Sequence, residues 1–280
     1  MCIRGFIGLA LVFASGARSL AEHVRLDFCS TGGSIQDKNC LTTGFTDRLP
    51  GTGGLIADCD SNLELVTTSS LLRMTSTRAD LNNAVNLGEL EAVGLYLPNP
   101  GTQQITIQAL FRGVQLGDVM SNQLMLYAAK SNGDHVRAGL HRSAGARGYA
   151  LTGNHDWADD STWGTGVSHL HYFDNGDDVL LTLTRTGGKW QLTWENLDQD
   201  NTQANPLADG ASGQYDFPWL DNEDLYVGVH YANPRTETNY TTDIDYFEVD
   251  VVPTPTSLVG LIGMGAVGLV FAGWRSLKSR

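Results

Sequence analysis

Cations are scarce in this chain, which carries 18 Lys and Arg against 31 Asp and Glu, a formal net charge of −13. A surface this acidic repels a phosphate backbone, so nucleic acid is excluded as a partner. Solubility and divalent-cation binding suit it better. Cysteine is equally sparse, at 4 residues in all. Cys2 falls in the N-terminal leader described below, leaving Cys29, Cys40 and Cys59. Three thiols cannot all pair within one chain, and their spacing, with His23 the only histidine nearby, gives no metal-site signature. One disulfide among Cys29, Cys40 and Cys59, stapling an irregular N-terminal segment, is the expectation. A phosphate loop, a dinucleotide fingerprint and a nucleophile elbow are all missing. No internal repeat appears, and helical periodicity is nearly absent.

Long apolar runs occur only at the two ends. The chain opens with Arg4, the apolar run Gly5–Ala14 and small residues that allow cleavage after Ala17 or Ala21. That order of charge, short apolar core and small-residue exit reads as a secretory signal peptide over residues 1–21. At the far end no charged side chain occurs from Leu258 to Trp274, and Arg275, Lys278 and Arg280 follow. A helix of that length reaches about 25 Å, enough for a marginal membrane span, so residues 258–280 are expected to form a transmembrane helix with a basic tail. Between the domain and this helix lies a Pro/Thr linker over 252–257, containing Val252, Pro253, Thr254 and Pro255. Proline motif, apolar helix and basic terminus together resemble the PEP-CTERM sorting signals of Gram-negative bacteria, with Thr254 in place of that family's Glu. The resemblance implies export machinery and an exosortase as partners, and residence in the cell envelope or on the extracellular surface.

The span 22–251 is filled by short alternating runs separated by Gly, Asn and Asp, the pattern of an all-β sandwich. Strands are expected at Leu63–Leu65, Leu71–Ser76, Glu91–Leu97, Gln104–Phe111, Gln123–Ala129 and Val136–His141. Further ones are expected at Val167–Phe173, Val179–Arg185, Trp190–Glu195, Leu225–Ala232 and Thr242–Val251. The clearest unit is Asp177 to Asn196, where Val179, Leu181 and Leu183 alternate with polar neighbours before the turn Thr186-Gly187-Gly188-Lys189. Glycine permits the positive φ that tight hairpins require. Trp190, Leu192 and Trp194 share one face of the return strand and are expected in the core. From LDFCSTGGSIQDKNC through this hairpin to LYVGVHYANP and TDIDYFEVDV, the chain resembles bacterial concanavalin A-like (laminin G-like) domains. The resemblance implies a jelly-roll β-sandwich of two antiparallel sheets over 22–251. The fold hosts lectins, glucanases and adhesion modules alike, so it does not settle function.

Asp243-Ile244-Asp245-Tyr246-Phe247-Glu248 resembles the E-I-D-x-x-E strand of family 16 glycoside hydrolases, which act on β-glucans. On a regular strand Asp243 and Asp245 oppose Glu248, so bringing Asp243 and Glu248 to one face requires a bulge. The first position is Asp rather than Glu, and the stretch adjoins the C-terminal linker instead of lying mid-fold. No catalytic residue is assigned; Asp243, Asp245 and Glu248 remain the candidates if hydrolysis occurs. Glu89 and Glu91 share a strand face but lack a third carboxylate. His169 and His171 share a face without a third metal ligand at readable spacing.

Binding is better supported. The stretch Gly153–Asp178 combines tryptophans with acids and amides, the residue types that meet sugar C–H faces and hydroxyls. Trp157 and Trp163 with Asn154, together with His230 and Asn233 at a strand exit, are the expected carbohydrate contacts. Asp156, Asp159 and Asp160 offer oxygens suited to calcium, the one cofactor expected. The sequence therefore points to an exported, membrane-anchored, non-catalytic domain that binds a polysaccharide or surface glycan, or organises the cell surface. A glycoside hydrolase and a structural envelope protein without a ligand are the alternatives.

Overall fold

The computed structural model describes residues 22–29, 32–48, 59–76, 92–101, 103–116, 122–143, 146–154, 163–169, 175–198, 210–233 and 239–252. The first strands are β1 (Glu22–Leu26), β2 (Asp47–Arg48), β3 (Leu63–Val66), β4 (Leu71–Thr75), β5 (Ala92–Leu97) and β6 (Gln104–Arg112). β7 (Gln123–Ala129), β8 (His135–Ser143), β9 (Ala146–Asn154), β10 (Trp163–His169) and β11 (Val179–Thr186) follow. The chain closes with β12 (Lys189–Asn196), β13 (Gly210–Ala211), β14 (Tyr215–Asp216), β15 (Leu225–Ala232) and β16 (Thr241–Val252). One 3-10 turn at Pro218–Leu220 is the only helical element among the described residues.

All strand pairs are antiparallel, and they build two sheets. The larger runs β13-β12-β11-β6-β16-β4-β3, with β1 also on β16 and β14 also on β12; the smaller runs β10-β9-β8-β7-β15-β5-β2. Residues of both sheets meet in one apolar core, where Val179, Leu181, Leu183 and Leu192 are fully buried. Trp190 and Trp194 lie there too, and the Trp194 ring stacks on Tyr149 of the opposite sheet at 4.4 Å. Alternation along β11 and β12 dictates this arrangement, because period 2 sends every second side chain to the same side. At the connecting turn Gly187 and Gly188 take φ of 58° and 81°, as tight hairpin geometry requires.

β1 and β9 are strands that the pattern does not announce. In β9, glycines interrupt the alternation, and at Gly153 a Cβ would strike the Phe217 ring at 2.5 Å. β10 begins at Trp163, four positions before the expected Val167. Near the N-terminus a disulfide joins Cys40 and Cys59, leaving Cys29 outside the bridge. Beside it the buried Asp37 carboxylate accepts from the backbone N–H groups of Asn39 (2.9 Å), Leu41 (2.8 Å) and Leu65 (2.8 Å), tying the irregular segment to β3. The leader 1–21, Pro253–Pro255 and the apolar run 258–274 lie outside the described residues, among which no helix is long and apolar enough to cross a membrane.

Candidate functional site

The core claims Val93, Leu97, Val227, Val229, Leu124, Leu126, Val136 and Ala138, so the intervening positions of the seven-stranded sheet form its outer face. Register aligns these positions into rows across the strands. One row reads Tyr96, Tyr226, Ala129, His135, Asn154, Trp163. The next reads Asp47, Gly94, Gly228, Tyr127, Arg137, Thr152. The middle of this face is withdrawn from solvent: Tyr127, His135 and His230 are fully buried. Arg137 donates from Nη1 to Gln123 Oε1 (2.6 Å) and from Nε to Thr152 Oγ1 (3.1 Å), which locks three neighbouring strands together.

At the β5–β15 end the face opens. Tyr96, 43% exposed, and the half-buried Tyr226 sit directly opposite each other, with ring centroids 5.4 Å apart at 56°. The Tyr96 hydroxyl donates to Asp224 Oδ2 at 2.6 Å, and the Asn99 N–H donates to Asp224 Oδ1 at 2.8 Å. Asp224 thus ties the exit of β5 to the entry of β15. The Tyr96 hydrogen bond, then that of Asn99, lowers the Asp224 pKa, while the same bond to the carboxylate raises that of Tyr96. Burial and then the nearby Asp47 carboxylate raise the pKa of Tyr226. Beside the rings Gly94 and Gly228 are paired, and a Cβ on Gly94 would stand 2.7 Å from the Tyr127 hydroxyl. The result is a rigid aromatic platform with carboxylates at its rim. Ring faces carry negative quadrupole density that attracts polarised C–H groups, and carboxylates accept from hydroxyls.

Of the expected sugar contacts, Asn154 and Trp163 occupy paired positions in the same row as Tyr96 and Tyr226, at its other end. His230 and Asn233 are buried, at 0% and 1% exposure. Trp157, Asp156, Asp159 and Asp160 lie outside the described residues. Tyr96 and Tyr226 escape a sequence reading because a lone tyrosine in an alternating strand looks like any half-exposed position. Only strand pairing brings the two together.

The β16 carboxylates point away from the other sheet. A bulge between Ile244 and Tyr246 does shift the phase, and Asp243 and Glu248 share the outer face while Ile244, Phe247 and Val249 fill the core. Asp243, Asp245 and Glu248, however, each hold an arginine. Asp243 takes Arg73 bidentately at 2.8 and 2.9 Å, and Glu248 Oε2 takes Arg25 Nη1 at 2.8 Å. Asp245 takes Arg112 Nε at 3.0 Å, and the same guanidinium reaches Asp178 Oδ2 at 2.6 Å. The hydrogen bond to Asp243 raises the Arg73 pKa, and that to Asp178 raises the Arg112 pKa, both against desolvation. A carboxylate beside an arginine is held in its ionised form, which does not suit the proton donor that glycoside hydrolysis requires.

No protein-family model matches the chain, and no curated protein matches it. Among solved structures, a mutant of the GH43 protein BlXynB from Bacillus licheniformis is similar at a TM-score of 0.52 and 12% identity, over 81% of this chain and 39% of that one. The basic winged bean lectin crystallised with Tn-antigen gives a TM-score of 0.49 and 10% identity, over 84% of this chain and 100% of its own. The CBM2 module of an evolved Lactobacillus casei BL23 phage J-1 Dit protein gives 0.49 and 10%, over 85% and 99%. At such identities the likeness is one of fold alone, an antiparallel β-sandwich of two sheets. It spans about two fifths of the BlXynB chain, so that protein's activity does not transfer with the fold.

Proposed function

We propose that this protein binds carbohydrate without cleaving it, through the outer face of its seven-stranded sheet, and does so at the cell envelope. The observation that carries the reading is the Tyr96–Tyr226 pair, held at the surface by Asp224 beside Asp47. Aromatic faces with carboxylates beside them suit the C–H faces and hydroxyls of a sugar, and ordering two short-armed tyrosines in advance lowers the entropy cost of binding. The pairing of Asp243, Asp245 and Glu248 with arginines favours binding over hydrolysis.

In this reading the leader 1–21 directs export, and residues 258–274 hold the chain in the membrane until, or unless, an exosortase acts at Val252–Pro255. Calcium would bind through Asp156, Asp159 and Asp160. The test applies the full chain in detergent to a broad glycan array, with calcium and then with chelator, and examines the best ligand for shortened chains. Binding without shortening supports the proposal. Shortened chains would restore the hydrolase, and silence on every glycan would leave a structural envelope protein.

A further inference from the structure

We propose that His23, Glu248 and Asp250 form a divalent transition-metal site that clips the first strand of the sandwich to the last. The site is independent of the sugar face and lies on the outer side of the other sheet. β1 is an exposed strand that pairs, among the described residues, with β16 alone, and register sets His23 directly opposite Asp250 and Arg25 opposite Glu248. Glu248 and Asp250, two residues apart on one strand, point to the same side, where a cation between them would relieve the repulsion that Arg25, bound to Glu248 Oε2, leaves at Oε1 and Asp250.

The geometry supplies that position. His23 Nδ1 stands 2.8 Å from Asp250 Oδ1 and 3.8 Å from Glu248 Oε1, and the three ligand atoms lie within 4.8 Å of one another. Ligand atoms around a tetrahedral zinc, at the usual bond lengths, stand about 3.4 Å apart, a value the two measured separations bracket. One imidazole nitrogen donates a single N–H, so it serves only one of the two oxygens that converge on it. A metal bound at that nitrogen satisfies both. Glu248 divides its oxygens accordingly: Oε2 receives Arg25, and Oε1 turns toward His23. Arg25 also binds Asp27 at 2.7 Å, so the carboxylates outnumber the one guanidinium beside them. Imidazole with two carboxylates is a donor set suited to zinc or cobalt, with water completing the shell.

The test titrates the full chain in detergent with Co2+, followed by visible absorption, and then displaces the cobalt with Zn2+. One cobalt per chain should bind with a low-symmetry spectrum and leave on addition of zinc. His23→Gln should weaken binding by about tenfold or more, as loss of a direct ligand requires. Arg25→Gln frees Glu248 Oε2 and should strengthen it. Asp250→Asn provides a second ligand deletion, and far-ultraviolet circular dichroism verifies that each variant keeps its sheets. Absence of cobalt binding, or binding unchanged in both His23→Gln and Asp250→Asn, would overturn the proposal and leave the cluster as ion pairs alone.

Discussion

Tyr96 and Tyr226 face each other from paired positions of β5 and β15, their ring centroids 5.4 Å apart, although 130 positions of sequence separate them. If this pair is the contact surface for sugar, replacing either ring by Ala should weaken binding of the best array ligand by about tenfold or more, the usual cost of deleting an aromatic anchor. Titration calorimetry measures the loss. An unchanged thermal midpoint separates it from unfolding, and full affinity in both variants would remove the site.

Asp224 gives the platform a pH dependence. Its folded pKa is depressed by the Tyr96 and Asn99 hydrogen bonds, so the support it provides is complete above the unfolded value of about 3.9 and is lost as pH falls through the lower folded value. Glycan affinity should therefore persist at mildly acidic pH and fall only below about pH 4. In Asp224→Asn that acid-limb decline should be smaller. An identical profile in the variant would show that another group controls it.

The arginine-bound carboxylates of β16 make the opposite prediction. Asp243→Asn and Glu248→Gln should leave glycan affinity unchanged and abolish no hydrolysis. Because Arg73 is 40% exposed at its side chain, the loss of its partner should cost under about 1 kcal/mol in a denaturant titration. Hydrolysis in the parent protein that vanished in these variants would reinstate the catalytic reading.

Gly228 is a packing requirement. A Cβ there would run into the Val93 carbonyl and the Gly94 Cα of the neighbouring strand. Gly228→Ala should destabilise the fold by about 1–3 kcal/mol, the range for overpacking a filled site. It should also displace the adjacent tyrosine pair, so lowered stability and weakened glycan binding should appear together.

Opening the Cys40–Cys59 bridge, whose partners are 19 positions apart, should cost about 3 kcal/mol by the chain-entropy relation. Equilibrium unfolding of Cys40→Ser/Cys59→Ser against the parent measures it. The Asp37 hydrogen bonds should keep the segment folded but less stable.

The amino-acid sequence by itself determined the strand class and the core. Alternation is local, so Val179, Leu181 and Leu183, or Trp190 and Trp194, declare their buried side without knowledge of any partner. It also placed the hairpin, because a Gly-Gly turn acts over four residues. Local signals failed at β9, where glycines interrupt the period and Gly153 makes room for Phe217. They also left β1 unannounced, a short strand held by pairing with β16. What only the tertiary structure decided is which outer-facing residues become neighbours. Arg73 meets Asp243 across 170 positions, and Tyr96 meets Asp224 across 128. Those encounters depend on strand order and register, and a one-residue slip would send every such side chain to the other face. Hence the carboxylates of β16 read as an active-site strand until their arginines are seen. The tyrosines, unremarkable in the chain, become the platform once β5 and β15 are paired.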